Sequence, residues 1–243
     1  MIALTVAACA RGGNYSDEMK ITDRPEISKT QGSKAVERSG DHPGSRYYSS
    51  VDFYNAKSAD TLTILPKFKT LQQSSIYSCG PATAMMVLEY FGRLDNWNEH
   101  SLAEFRAKKN LPWPTTLSDM INIFKQVGGF EIISTHDYDA NMDATAKAEM
   151  IENFIKSGLP VMVLWNDFGG HWQTIIGYDN MGTETKDDDV LVVADSYDVT
   201  DHNQDGYGVY SAKRFVENWT LGRMMGPNPK DNDFLFVVVK PKD

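Results

Sequence analysis

The chain has 243 residues, 41% of them hydrophobic and 11% aromatic, with a formal net charge of -9. That composition belongs to a folded chain rather than a disordered one, and the length suits one domain with a real core. The acidic balance and the lack of any Lys/Arg cluster exclude non-specific nucleic-acid binding and attraction to an anionic lipid surface, so no nucleic-acid partner is expected.

Two cysteines, Cys9 and Cys79, make a disulfide scaffold a poor expectation, and each needs its own explanation. Residues 1–9, "MIALTVAAC", form a short apolar run whose end, Val6-Ala7-Ala8-Cys9, resembles the close of a bacterial lipoprotein signal. The run is short and no basic residue precedes it, so a chance apolar terminus is the competing reading. The first reading predicts an exported protein, tethered to the cell envelope by lipid on Cys9; the second leaves a cytoplasmic one. No other stretch nears the ~18 apolar residues of a membrane span. Residues 10–45 are polar and rich in Gly, Ser and charge, which predicts a flexible linker ahead of a single domain over 46–243.

From "YYSSVDFY" the chain changes character. "TLTILPKFKTL" (61–71) reads as an edge strand running into a loop at Pro66. "GPATAMMVLEYFG" (80–92) reads as a helix, with Pro81 in its first turn and Gly92 closing it. Helices follow at 101–110 and 115–129, a strand at 130–138, and an amphipathic helix at 143–158 between Asp143 and Gly158 as caps. Strands are predicted over 159–165, 171–179, 189–197 and 233–240, with a short helix at 211–219 before the last. Helices first and strands second, without βαβ alternation, predict an α+β domain: a helical half packed on a mostly antiparallel sheet.

Four residues stand where thiol chemistry needs them. Cys79 opens the helix at 80–92, His171 begins a strand after Gly169 and Gly170, Asp195 closes the strand "VLVVAD", and Gln73 precedes the cysteine by six positions. A free thiol, with a pKa of about 8.5, is mostly protonated at neutral pH, whereas the thiolate is the nucleophile. A helix N-terminus favours the anion, and an imidazolium favours it further and later protonates the leaving group. A carboxylate fixes the imidazole's tautomer, and a carboxamide with the cysteine's own N–H can hold an oxyanion. Gln, Cys, His, Asp is the papain-type order.

The spelling "QSSIYSCGPA" with a downstream "GHWQTIIGYD" resembles papain-like cysteine peptidases related to the double-glycine leader peptidases of bacteriocin exporters. The likeness covers about 60–200. It implies a papain-like fold with a central helix starting at the cysteine. It also implies Cys79 as nucleophile, His171 as general base and acid, Asp195 as the orienting carboxylate and Gln73 as oxyanion donor. Two departures matter. The family commonly has Asp-Pro where this chain reads "ADSYD", so Asp198 rivals Asp195, and "NMGTETKDDD" looks like an insertion. Without membrane spans or a Gly-rich phosphate loop in the sequence, a leader-peptide substrate is not implied.

Other features weigh less. "DHNQDGY" (201–207) places Asp201, Asn203 and Asp205 as in the first half of a calcium loop, but position twelve is Ala212 rather than Glu, so an Asx-rich turn is the favoured reading. No metal and no cofactor is therefore expected. Trp165 and Trp172, flanking the Gly-Gly-His loop, are read as core or cleft wall. The function expected is a monomeric cysteine peptidase cleaving a peptide or protein substrate through an acyl-enzyme on Cys79. An acyl or γ-glutamyl transferase with the same triad, a dead binding module and a structural lipoprotein domain are the alternatives.

Overall fold

The computed structural model describes residues 51–109, 111–139, 141–198 and 205–242. The signal-like segment 1–9 with Cys9, the linker over 10–45, and Asp201 and Asn203 lie outside the described residues. Among the described residues no helix is long and apolar enough to cross a membrane.

Seven strands form one sheet: β1 (Leu62–Ile64), β2 (Phe130–Ser134), β3 (Val161–Trp165), β4 (His171–Asp179), β5 (Val190–Ala194), β6 (Tyr207–Ser211) and β7 (Leu235–Pro241). The order is β2-β7-β3-β4-β5-β6, and every pairing is antiparallel. β4 is the spine. Its first half pairs with β3 and its second half with β1, while β5 runs along its other edge. Gly177 sits where the β5 register shifts, and a Cβ there would lie 3.1 Å from Val192 Cβ, a close strand approach that favours glycine.

Five helices are described: α1 (Cys79–Tyr90), α2 (Glu99–Ala103), α3 (Leu117–Val127), α4 (Ala144–Lys156) and α5 (Ala212–Glu217). Every residue of α1 from Cys79 to Leu88 is buried, as expected of a helix that is apolar all round. Side chains alternate along a strand, so β4 points Trp172 to one face and His171 and Gln173 to the other. Trp172 takes α1: Thr83 Oγ1 donates to the Trp172 carbonyl at 3.2 Å, and Trp172 Nε1 donates to the Thr115 carbonyl, just before α3, at 2.8 Å. The opposite face takes α4 and α5, with Phe154 on Phe236 and Phe215 on Trp165 at 6.2 and 5.2 Å between ring centres. The chain is α+β, with helices on both faces of the sheet.

Three expectations need correction. The helix predicted over 101–110 is the short α2, which begins at Glu99 under a capping box from Asn98 and stops at Ala103. It stops because the buried Arg106 gathers the carbonyls of Ala103, Lys109, Leu111 and Trp113, winding the chain around its guanidinium. The strand predicted to 138 ends at Ser134, whose side chain caps a 3-10 turn over Thr135–Asp137. Residues 207–211, between the expected turn at 201–207 and the expected helix from 211, form β6. Asp205 there turns inward: its Oδ1 accepts the Tyr207 N–H at 3.0 Å and its carbonyl accepts Thr70 Oγ1 at 2.6 Å. Among the described residues no group of three or more His, Cys, Asp and Glu could hold a metal.

Gly80 fixes where α1 begins, because a Cβ there would fall 2.4 Å from both Cβ and Oγ1 of Thr115. Thr115 is buried and tied to Trp172 through its carbonyl, so it has little room to yield. Gly80→Ala is expected to cost about 1–3 kcal/mol of stability, read as a lower urea midpoint at unchanged slope. An unchanged midpoint would show that this contact does not set the start of α1.

Candidate active site

The segment before Cys79 is held from three sides. Ser78 Oγ donates to the Ser75 carbonyl at 3.0 Å and accepts the Ser75 N–H at 3.0 Å, closing a tight turn. The Glu99 carboxylate accepts the Ser74 N–H at 3.1 Å and also the Ser74 hydroxyl. Gln73 donates through Nε2 to the Ser75 carbonyl at 2.7 Å and accepts Ser196 Oγ at 2.8 Å, while its backbone N–H donates to the Ser196 carbonyl at 2.8 Å. One carboxamide thus ties the turn before the cysteine to the residue after Asp195. Cys79 itself is buried, a free thiol at the first position of α1.

His171 and Asp195 meet at the ends of their strands. His171 Nε2 lies 2.6 Å from Asp195 Oδ1, with 4% and 1% of the two residues exposed. Cys79 lies close enough to the same ring to act on its ionisation, and with Nε2 engaged on the carboxylate, Nδ1 is the nitrogen left for a thiol. Burial disfavours the imidazolium, but the charge and hydrogen bond of Asp195, aided by Cys79, outweigh it and hold His171 well above its ordinary value of 6.5. Burial likewise opposes the Asp195 carboxylate, and His171, the Tyr197 N–H and Gln173 overcome it, keeping its pKa low.

Gln173 is the residue that sequence reasoning missed. Its Nε2 donates to Asp195 Oδ2 at 2.7 Å and to Tyr210 Oη at 2.9 Å, and its Oε1 accepts Trp165 Nε1 at 2.7 Å. The signal was available: two positions after a histidine on a strand lies the same face. The Tyr210 partner was not legible, because no strand is predicted between the turn at 201–207 and the helix at 211–219. Trp165 is thus a positioning residue behind Gln173, and Trp172 is core.

Aromatic rings border the histidine. Phe168 and Tyr197 each stand edge-on to His171 at 6.1 Å and to each other at 5.2 Å. Phe168 holds a positive φ of 49° while 62% exposed, an uncommon backbone for a bulky side chain, and Gly170 follows at φ 112°. Arg106 reaches the segment before Cys79, where its guanidinium donates to the Tyr77 carbonyl at 3.5 Å. Burial lowers its pKa, and its interactions with Asp119, Cys79 and Glu99 oppose that. Asp198, the rival to Asp195, accepts the Gly206 N–H at 2.7 Å.

The network gives two expected outcomes. Gln173→Leu strands the Trp165 N–H and one oxygen of Asp195, at about 1–3 kcal/mol for each buried group left unpaired, read from chemical unfolding. Asp195→Asn removes the pair's pH-dependent stability. A raised His171 contributes fully below its unfolded value of about 6.5 and loses that as pH rises through its folded value. A lowered Asp195 contributes above about 3.9 and loses that as pH falls through its folded value. The difference in Tm between native protein and Asp195→Asn is therefore expected to peak between about pH 4 and 6.5 and to shrink on both sides. A difference independent of pH would mean that the pair carries no linked protons.

A family model described as peptidase C39-like matches residues 65–223, well over half the chain and all four of Gln73, Cys79, His171 and Asp195. No curated protein matches the chain. With the α+β sheet and the helix beginning at Cys79, the match settles the fold as papain-like. The chain belongs to the peptidase C39-like family, a papain-like cysteine peptidase domain.

Proposed function

We propose that the protein is an active cysteine peptidase that cleaves peptide or amide bonds through an acyl-enzyme on Cys79. The observation that supports this most is the buried His171, bonded to Asp195 and raised in pKa by Asp195 together with the nearby thiol at the start of α1. A spectator cysteine in a core has no such partner.

The chemistry follows from these positions. The thiolate of Cys79, paired with the His171 imidazolium, attacks the scissile carbonyl carbon and forms a C–S bond. The oxyanion is taken by the Cys79 backbone N–H at the helix start and by the Gln73 carboxamide. His171 passes its proton to the departing amine as the C–N bond breaks. A water, deprotonated by His171, then attacks the thioester, and the carboxylic acid leaves with the thiol restored. Asp195 holds the ring with Nε2 toward itself and Nδ1 toward sulfur, and Gln173 holds Asp195. Phe168 and Tyr197 limit water at the ring. No step needs a metal.

The raised pKa of His171 keeps the imidazolium beside the thiol at neutral pH, so the reactivity of the thiol should change again where His171 deprotonates, above 6.5. The test is the rate of Cys79 alkylation by iodoacetamide between pH 4 and 10, beside His171→Ala. In the native protein the profile is expected to show reaction persisting below pH 7 and a further step where His171 loses its proton. In the variant the reaction below pH 7 and the step tied to His171 are both expected to be lost. Identical single steps in both proteins would remove the nucleophile assignment.

A further inference from the structure

A cavity of about 550 Å³ opens on the α4–α5 face of the sheet, within the range of roughly 300–1,000 Å³ typical of ligand pockets. Its walls include the rings of Trp165, Phe168, Tyr210 and Phe215, with Asn166 and Asn218 beside them. Two of these rings are fixed in advance, since Trp165 Nε1 and Tyr210 Oη both bond Gln173, and Phe215 packs on Trp165 at 5.2 Å. Walls that need no reorganisation bind at lower cost. The asparagines offer carboxamides of the kind that pair with a peptide's own N–H and C=O.

Its position relates it to the reaction. Phe168 belongs both to this cavity and to the ring cluster at His171. The cavity lies on the face of β4 that carries His171 and Gln173, whereas α1 with Cys79 covers the Trp172 face. In amide cleavage the acyl group stays on sulfur and the amine departs beside the imidazole that protonates it. A chain leaving past His171 meets Phe168 and then the cavity. Phe168, 62% exposed, offers apolar surface that such a chain would cover.

We propose that this cavity is a leaving-group subsite that receives an aromatic residue of the substrate peptide. The proposal rests on the thiol-peptidase reading, and its test separates the two. p-Nitrophenyl acetate transfers its acetyl group to Cys79 and releases p-nitrophenolate. The acetyl-enzyme is then resolved either by water, giving acetate, or by an added amine, giving its N-acetyl derivative, with the free thiol returned in both cases. An attacking amine enters from the side a leaving amine would use. Phe-Gly-amide and Trp-Gly-amide should therefore trap the acetyl group at least about tenfold better than Ala-Gly-amide, a difference of 1.4 kcal/mol. Arg214→Trp, at an exposed α5 position on the cavity lining, should fill the cavity and abolish that preference while leaving the p-nitrophenolate burst unchanged. A normal burst with equal trapping by all three amines in the native protein would overturn the subsite and leave the peptidase reading standing. The absence of any Cys79-dependent burst would overturn the peptidase reading, and the subsite with it.

Discussion

A carboxylate and an imidazole 2.6 Å apart, both almost sealed from water, constrain everything around them. Removing two ionisable groups from solvent costs several kcal/mol each, and their mutual attraction offsets this only if the remaining hydrogen-bonding positions are filled. They are filled here. The second oxygen of Asp195 takes Gln173, and the first also takes the Tyr197 N–H at 2.7 Å. Gln173 is in turn fixed by Trp165 on β3 and Tyr210 on β6. One ion pair thereby recruits residues from four consecutive strands, β3 to β6, which is why the sheet and the chemistry cannot be described separately.

The cysteine side is built to a different plan. No strand holds it; α1 emerges from the core with its first turn pinned by Gly80 against Thr115 and preceded by a serine-rich turn. Two buried charges flank that turn. Glu99, its pKa raised by burial, anchors Ser74, and Arg106 binds the loop that carries Trp113. Gln73 bridges the two halves through Ser196. The relative placement of thiol and imidazole thus depends on one carboxamide and on the packing of Trp172 under α1.

Much of this was legible in the sequence, for identifiable reasons. α1 and β4 carry dense apolar patterns bounded by glycine, so β4 was read with both ends in place at His171 and Asp179. The spacing of Gln73, Cys79, His171 and Asp195 carried the papain-type order, and the folded chain brings His171 to Asp195 and to Cys79. What was not legible depends on contacts distant in the chain. α2 is short because a single arginine side chain competes for its carbonyls, and no local propensity encodes that. β6 was hidden because Gly206 and the Asx-rich residues before it are turn formers, while its pairing to β5 is a tertiary fact. Phe168 could not be placed at the histidine from its neighbours alone, since its left-handed backbone is imposed by the loop it sits in.

The position of β7 in the sheet has a kinetic meaning. It lies between β2 and β3, yet it follows every residue of the candidate site in the chain. During synthesis the ribosome therefore delivers the thiol, the imidazole and the carboxylate before the strand that joins β2 to the rest. Until residues 235–241 arrive, β3 has one open edge and α3, which packs on β2 and β7, has nothing complete to cover. Such late, long-range closure is slow and leaves apolar surface exposed meanwhile. The strands that carry the pair, β3 to β6, all precede β7, so β2 and the helix that covers it are the last part of the sheet to be joined.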